Sequence, residues 1–152
     1  MRPAVNTGLS VSRVGRAAQP KAMRKVSGTL RIELSQFREM AVFTRFGSDV
    51  DDATKRMLIR GHTLTELLKQ PKSRPYSLFE EVALLVAYHN NIFESSPEDA
   101  DLFAPMLTAF LEENCPELAA SINRSGDLTD SDKTLLLEHL NRFKETLNGK
   151  HQ

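Results

Sequence analysis

The chain has 152 residues, 40% of them hydrophobic and 26% charged, with a formal net charge of zero. That is enough for one domain with a single core, of ordinary globular composition. No apolar run approaches a membrane span and no secretory segment is present, while the lone Cys115 excludes an internal disulfide framework; the expectation is a soluble chain suited to a reducing, intracellular compartment.

The charge is unevenly spread. Residues 1–32 carry Arg2, Arg13, Arg16, Lys21, Arg24, Lys25 and Arg31 and no acid, which leaves about −7 on residues 33–152. An acid-free, Arg- and Ser-containing start raises the possibility of a mitochondrial transit peptide, but Pro3, Gly8, Gly15 and Pro20 interrupt the amphipathic helix one would need. Residues 1–19 show no helical period. Leu9, Val11 and Arg13 fall on one side of an extended segment and Ser10, Ser12 and Val14 on the other, with Gly15 allowing a turn. A lone strand cannot pair its own backbone, and no second convincing strand follows, so the segment reads as cut from a sheet whose other strands lie elsewhere.

From Pro20 the spacing changes to steps of three and four. Met23, Val26, Leu30, Leu34, Phe37, Ala41 and Thr44 predict one long helix, with Pro20 in its first turn and Gly47 at its stop. Residues 48–52 offer caps for a second helix through Met57, Leu58, Leu64, Leu67 and Leu68, which Gly61 is expected to weaken or bend. Pro71 and Pro75 bracket a loop. Ser77 and Glu80 have capping-box spacing, ahead of a stripe formed by Leu78, Val82, Leu85 and Val86. Pro105 predicts the start of a short fourth helix, and Cys115-Pro116 the start of another. Thr129 to Asp132 cap a last amphipathic helix through Leu136, Leu140, Phe143 and Leu147, with Gly149 beyond its end. The expected fold class is all-α: a helical bundle over residues 20–149, preceded by a short strand and turn over residues 1–19.

Most catalytic chemistry is missing from this sequence. There is no GxxxxGK(S/T) loop to cradle nucleotide phosphates. His62, His89, His139 and His151 have no metal-ligand spacing, among themselves or with Cys115, and read as surface or half-buried helix residues. Cys115 has acidic neighbours in Glu112, Glu113 and Glu117, which would raise its pKa, so it reads as structural. The pairs Asp51-Asp52, Glu80-Glu81 and Glu112-Glu113 read as helix starts or solvated faces. The basic N-terminus lacks the interleaved aromatics that stack bases, and its plainer reading is an interface with something acidic. Arg13 is different: at the end of a strand before a glycine turn, it could reach a neighbouring subunit. There its forked, permanently charged guanidinium would match phosphate oxygens, or else form a surface ion pair.

PAVNTGLSVS resembles the signature of the form P-A-V-N-x-x-x-S-x-S shared by alpha and beta subunits of rotary ATP synthases. The continuation SVSRVG followed by AAQ resembles the alpha subunit specifically, as do RIELSQFREMAVFTRFGSDVDDATK, LTELLKQP and CPELAASINRSGDLTD, all in collinear order. The resemblance implies the C-terminal portion of an alpha subunit, contributing to ATP synthesis coupled to proton transport. Residues 1–19 would be the tail of the nucleotide-binding domain and residues 20–149 the C-terminal helical domain that rings the central stalk. It further implies that Arg13 is the arginine finger supplied in trans to the catalytic nucleotide at the alpha–beta interface, and that Ser10 belongs to the same catalytic hook. The implied partners are beta subunits and the gamma stalk, with no nucleic acid and no direct membrane insertion.

No cofactor would bind this chain alone; ATP or ADP with Mg would sit at the shared interface of the assembled complex. The complex would be peripheral, on the cytoplasmic face of a bacterial plasma membrane or the mitochondrial or plastid equivalent. Arg16 stands where the family usually has a second glycine, and Glu81 replaces a common glutamine. Without a P-loop the isolated chain is expected neither to bind nucleotide tightly nor to hydrolyse it. A free-standing helical interaction module, acting as a decoy or assembly regulator, is the alternative.

Overall fold

The structure is a computed structural model that describes residues 14–44, 50–70, 73–93 and 97–148. Within them the chain forms α1 (Gly15–Ala18), α2 (Lys21–Val26), α3 (Leu30–Thr44), α4 (Asp52–Leu67), α5 (Leu78–His89), α6 (Pro97–Asn114), α7 (Pro116–Ser125) and α8 (Asp130–Asn148), and no strand among the described residues. The all-α class follows. The strand expected up to Arg13, and the stops expected at Gly47 and Gly149, lie outside the described residues.

Gly15 opens the single turn of α1 instead of a reverse turn, closed by the Ala18 N–H donating to the Val14 carbonyl at 3.1 Å. The long helix expected from Pro20 is two. Ser27-Gly28-Thr29 breaks it, because glycine inside a helix costs about 0.5–1 kcal/mol relative to alanine and Thr29 can start a new helix. The Ile32 and Glu33 N–H groups both donate to the Thr29 carbonyl at 3.0 Å. The Val26 carbonyl accepts from His89 Nε2 at 2.9 Å, so a tertiary bond occupies an acceptor at the break.

Other starts follow their local chemistry. Asp51 caps α4, its carboxylate accepting the Thr54 N–H at 2.9 Å. Ser77 and Glu80 close a reciprocal capping box on α5. Pro116 takes the first turn of α7. On α8, the Thr129 hydroxyl accepts the Asp132 N–H at 3.1 Å while the Asp132 carboxylate accepts the Thr129 N–H at 3.0 Å.

Pro105 does not begin a helix; it lies inside α6, with its ring exposed. Burial of Ala104, Leu107 and Leu111 along α6 outweighs the hydrogen bond that proline cannot donate.

The middle of the bundle is α5. Nine of its twelve residues are buried, well beyond the single stripe read from Leu78, Val82, Leu85 and Val86. A helix apolar on nearly all sides has to be enclosed, and α2, α4, α6, α7 and α8 all pack on it. Leu107, Leu111, Ile122, Leu136 and Leu140 are fully buried around it. Glu80, only 5% exposed, is the charge in this layer. Its carboxylate accepts the Ser77 N–H at 2.7 Å and the Arg74 guanidinium at 3.2 Å, which is what makes its burial tolerable.

By contrast α3 lies to one side, packed chiefly on α4. The sequence marks Gly61 as a place where α4 is weakened or bent; α4 continues through it, and Gly61 is the buried point where Phe37 of α3 packs on the α4 backbone.

Candidate functional site

Ser10 and Arg13, the site residues expected from sequence, lie outside the described residues. The described residues begin at Val14, directly after them. Val14 is 68% exposed and α1 buries no residue, and Ala22 is the first of the described residues to enter the core. There the Ala22 N–H donates to the Gly126 carbonyl at 2.9 Å. Gly126 ends α7 at φ 67°, in the left-handed region that favours glycine, and its N–H returns to the Ile122 carbonyl.

Charge reinforces this seam between α2 and the α7–α8 corner. Lys25 Nζ donates to the Asp127 carboxylate at 2.9 Å and to the Leu128 carbonyl, and Lys21 stands 4.0 Å from the same carboxylate. The Lys25 hydrogen bond, helped by the Leu128 N–H, holds the Asp127 carboxyl below its ordinary value. Part of the basic N-terminus therefore meets its acid inside the chain. Because exposed pairs contribute little, the seam rests mainly on buried Ala22 and Val26.

Among the described residues no three His, Cys, Asp or Glu side chains gather to hold a metal. His62 is exposed, while His89 and His139 are half-buried; His151 is outside the described residues. Cys115 is buried, donates to the Leu111 carbonyl at 3.1 Å, and has its thiol pKa pushed up by burial, not by the acidic neighbours.

One polar pair links distant elements: the Tyr88 hydroxyl donates to the Glu33 carboxylate at 2.6 Å. Burial, then Glu33, pushes the phenol far up. Burial also acts to raise Glu33, but bonds from Tyr88 and Thr29, with the charges of His89 and Arg60, outweigh it and leave the carboxyl below its ordinary 4.5. A depressed carboxyl stabilises the fold fully above its unfolded value and loses that contribution as pH falls through the folded one. Tyr88→Phe is therefore expected to cost about 1.5 kcal/mol at neutral pH, the low end for a bond to a charged group because Glu33 is half-buried. The cost should shrink in acid, at a pH below the folded value, once Glu33 is protonated in both states. Urea midpoints of both chains at the two pH values check this; a cost equal at both contradicts it.

Sequence reading missed this pair, since nothing local relates residues 55 positions apart. It also passed over Arg56 and Arg60, whose spacing of four puts them on one face of α4.

Against known proteins, residues 19–143 match the family described as ATP synthase alpha/beta chain, C terminal domain. The chain belongs to that family. Stretches that carried the resemblance from sequence, RIELSQFREMAVFTRFGSDVDDATK, LTELLKQP and CPELAASINRSGDLTD, fall inside the matched span. The chain is also 43% identical over 144 residues to ATP synthase subunit alpha of Petrotoga mobilis, an alignment covering 94% of this chain. It spans 29% of that relative's length. The bundle of α2–α8 is thus this chain's version of the ATP synthase alpha/beta C-terminal domain. No helix among the described residues is long and apolar enough to cross a membrane.

Proposed function

We propose that this chain serves as the C-terminal part of an alpha-type subunit in the head of a proton-translocating ATP synthase. It would pack beside beta subunits around a gamma stalk, in a peripheral complex on the energy-coupling membrane. The observation that carries the reading is the 43% identity to an ATP synthase subunit alpha along nearly the whole chain. ATP or ADP with Mg belongs, on this reading, to the interface with a beta subunit, and the chain's direct contribution there is Arg13, with Ser10 in the same hook. The exposed start of α1 supports a hook that projects from the bundle. Exposed Ile32, Val42 and Phe43 on α3 support a surface that an assembly covers.

The test is a chimera in which this chain replaces the matching part of the Petrotoga mobilis subunit alpha, co-expressed with that organism's beta and gamma partners. The expected product is a co-eluting head that hydrolyses MgATP. A chimera that folds but elutes alone overturns the proposal. The exposed α3 side chains also suit the second reading, an interaction module without catalytic role; co-elution with ATP hydrolysis lost is its signature.

A further inference from the structure

Between α4 and the end of α5 lies a half-open cavity of about 430 Å³, walled by Arg56, Ile59, Arg60, Thr63, Tyr88 and Phe93. That volume is in the range of small-molecule pockets, and its lining combines apolar surface with a few converging polar groups. One wall is built and held. The Arg60 guanidinium lies 4.8 Å from the Tyr88 ring centroid and donates to Asn91 Oδ1, while Tyr88 is fixed from behind by Glu33. Asn91 adopts φ 55°, a left-handed conformation that asparagine tolerates better than most residues.

Two groups in this cavity lack a hydrogen-bond partner among the described residues. Thr63 is 3% exposed, yet among the described residues its buried hydroxyl has no hydrogen-bond partner. A threonine in a helix ordinarily turns its hydroxyl to the carbonyl four residues back, as Thr65 does to Gly61 at 2.8 Å. Arg56, one turn before Arg60, makes no hydrogen bond among the described residues, and its charge acts on Asp51 through space. Glu33 offsets part of the Arg60 charge and Asp51 part of the Arg56 charge, so the two guanidiniums leave the cavity a reduced positive character.

We propose that this cavity binds a small organic anion with a flat apolar body. A carboxylate or phosphate monoester would take donors from Arg56 and the Thr63 hydroxyl, and its body would lie against Ile59 and Phe93. Carboxylate and phosphate share the chemistry that a guanidinium recognises. The proposal is independent of any role for Arg13.

Phenyl phosphate titrated into the isotope-labelled 152-residue chain is the first probe, read by amide shifts in NMR. Saturable shifts centred on Thr63, Tyr88 and Asn91 are expected, with a dissociation constant on the order of 1 mM or tighter for so small a ligand. Benzoate should compete, whereas inorganic phosphate and phenol should each bind roughly tenfold more weakly, lacking the body or the charge. Arg56→Gln changes an exposed residue and should weaken binding by roughly tenfold. Thr63→Val keeps the shape, removes the unpaired hydroxyl, and should weaken binding several-fold while raising the thermal midpoint. Shifts that do not saturate, shifts centred elsewhere, or undiminished binding in Arg56→Gln would overturn the proposal.

Discussion

Arg13→Ala, placed in an assembled head carrying this chain, is expected to lower ATP turnover by roughly 10³–10⁵ while leaving assembly intact. The expectation rests on the resemblance of PAVNTGLSVSRVG to the alpha-subunit signature and on the proposed function. A guanidinium supplied across an interface acts where negative charge develops on the transferred phosphoryl group, and it stays charged at any working pH. Its effect belongs to the transition state, so kcat should fall far more than nucleotide affinity. Arg13→Lys should recover little, because an ammonium cannot present two parallel donors. Arg16 is the control: it is exposed on α1, and Arg16→Ala should change turnover only slightly. Steady-state hydrolysis by the purified chimera, with subunit ratios checked on the same sample, decides the matter. Loss of less than tenfold in Arg13→Ala, or an equal loss in Arg16→Ala, would remove Arg13 from the catalytic role.

The second large effect is structural. Gly61→Val should destabilise the chain by the upper end of the ~1–3 kcal/mol typical of overpacking. A Cβ at position 61 would stand 2.3 Å from Cγ of Phe37 and 2.5 Å from its Cβ. Rotating the Phe37 ring relieves the first contact but not the second, so α3 itself has to move. Gly61→Ala sets two effects against each other. Alanine favours a helix by about 1 kcal/mol over glycine, yet the same close contact opposes it. The clash should win, leaving a smaller net loss than for valine.

Adding Phe37→Ala to Gly61→Ala should recover part of the loss, as a positive coupling of about 0.5–3 kcal/mol between contacting positions. Denaturant midpoints of the four chains give the cycle directly. Since α3 packs chiefly on α4, amide exchange should rise first in α3 while α5 stays protected. Strict additivity would show that Gly61 and Phe37 do not meet in solution.

Gly61 also marks a limit of sequence reading. From sequence it is a weak point in a helix, because only its propensity is visible; Phe37, 24 positions away, turns it into a packing requirement. Pro105 is similar, since proline's local cost predicts a helix start, and burial on both sides of it carries α6 through. The break at Ser27-Gly28-Thr29 is the reverse case: apolar spacing runs across it unbroken, and His89 takes the Val26 carbonyl there.

What the sequence determined by itself was local or collective. Asp51, Ser77, Pro116 and Thr129 act within one helical turn of themselves, so their starts were legible residue by residue. Family membership was legible because long collinear stretches hold it, independent of any single contact. Only the tertiary structure decided that α5 is enclosed on nearly all sides, that Tyr88 meets Glu33, and that Arg56, Arg60 and Thr63 share a cavity. Those outcomes depend on which helix faces lie together, and helix periodicity records that a face is apolar without recording what it will touch.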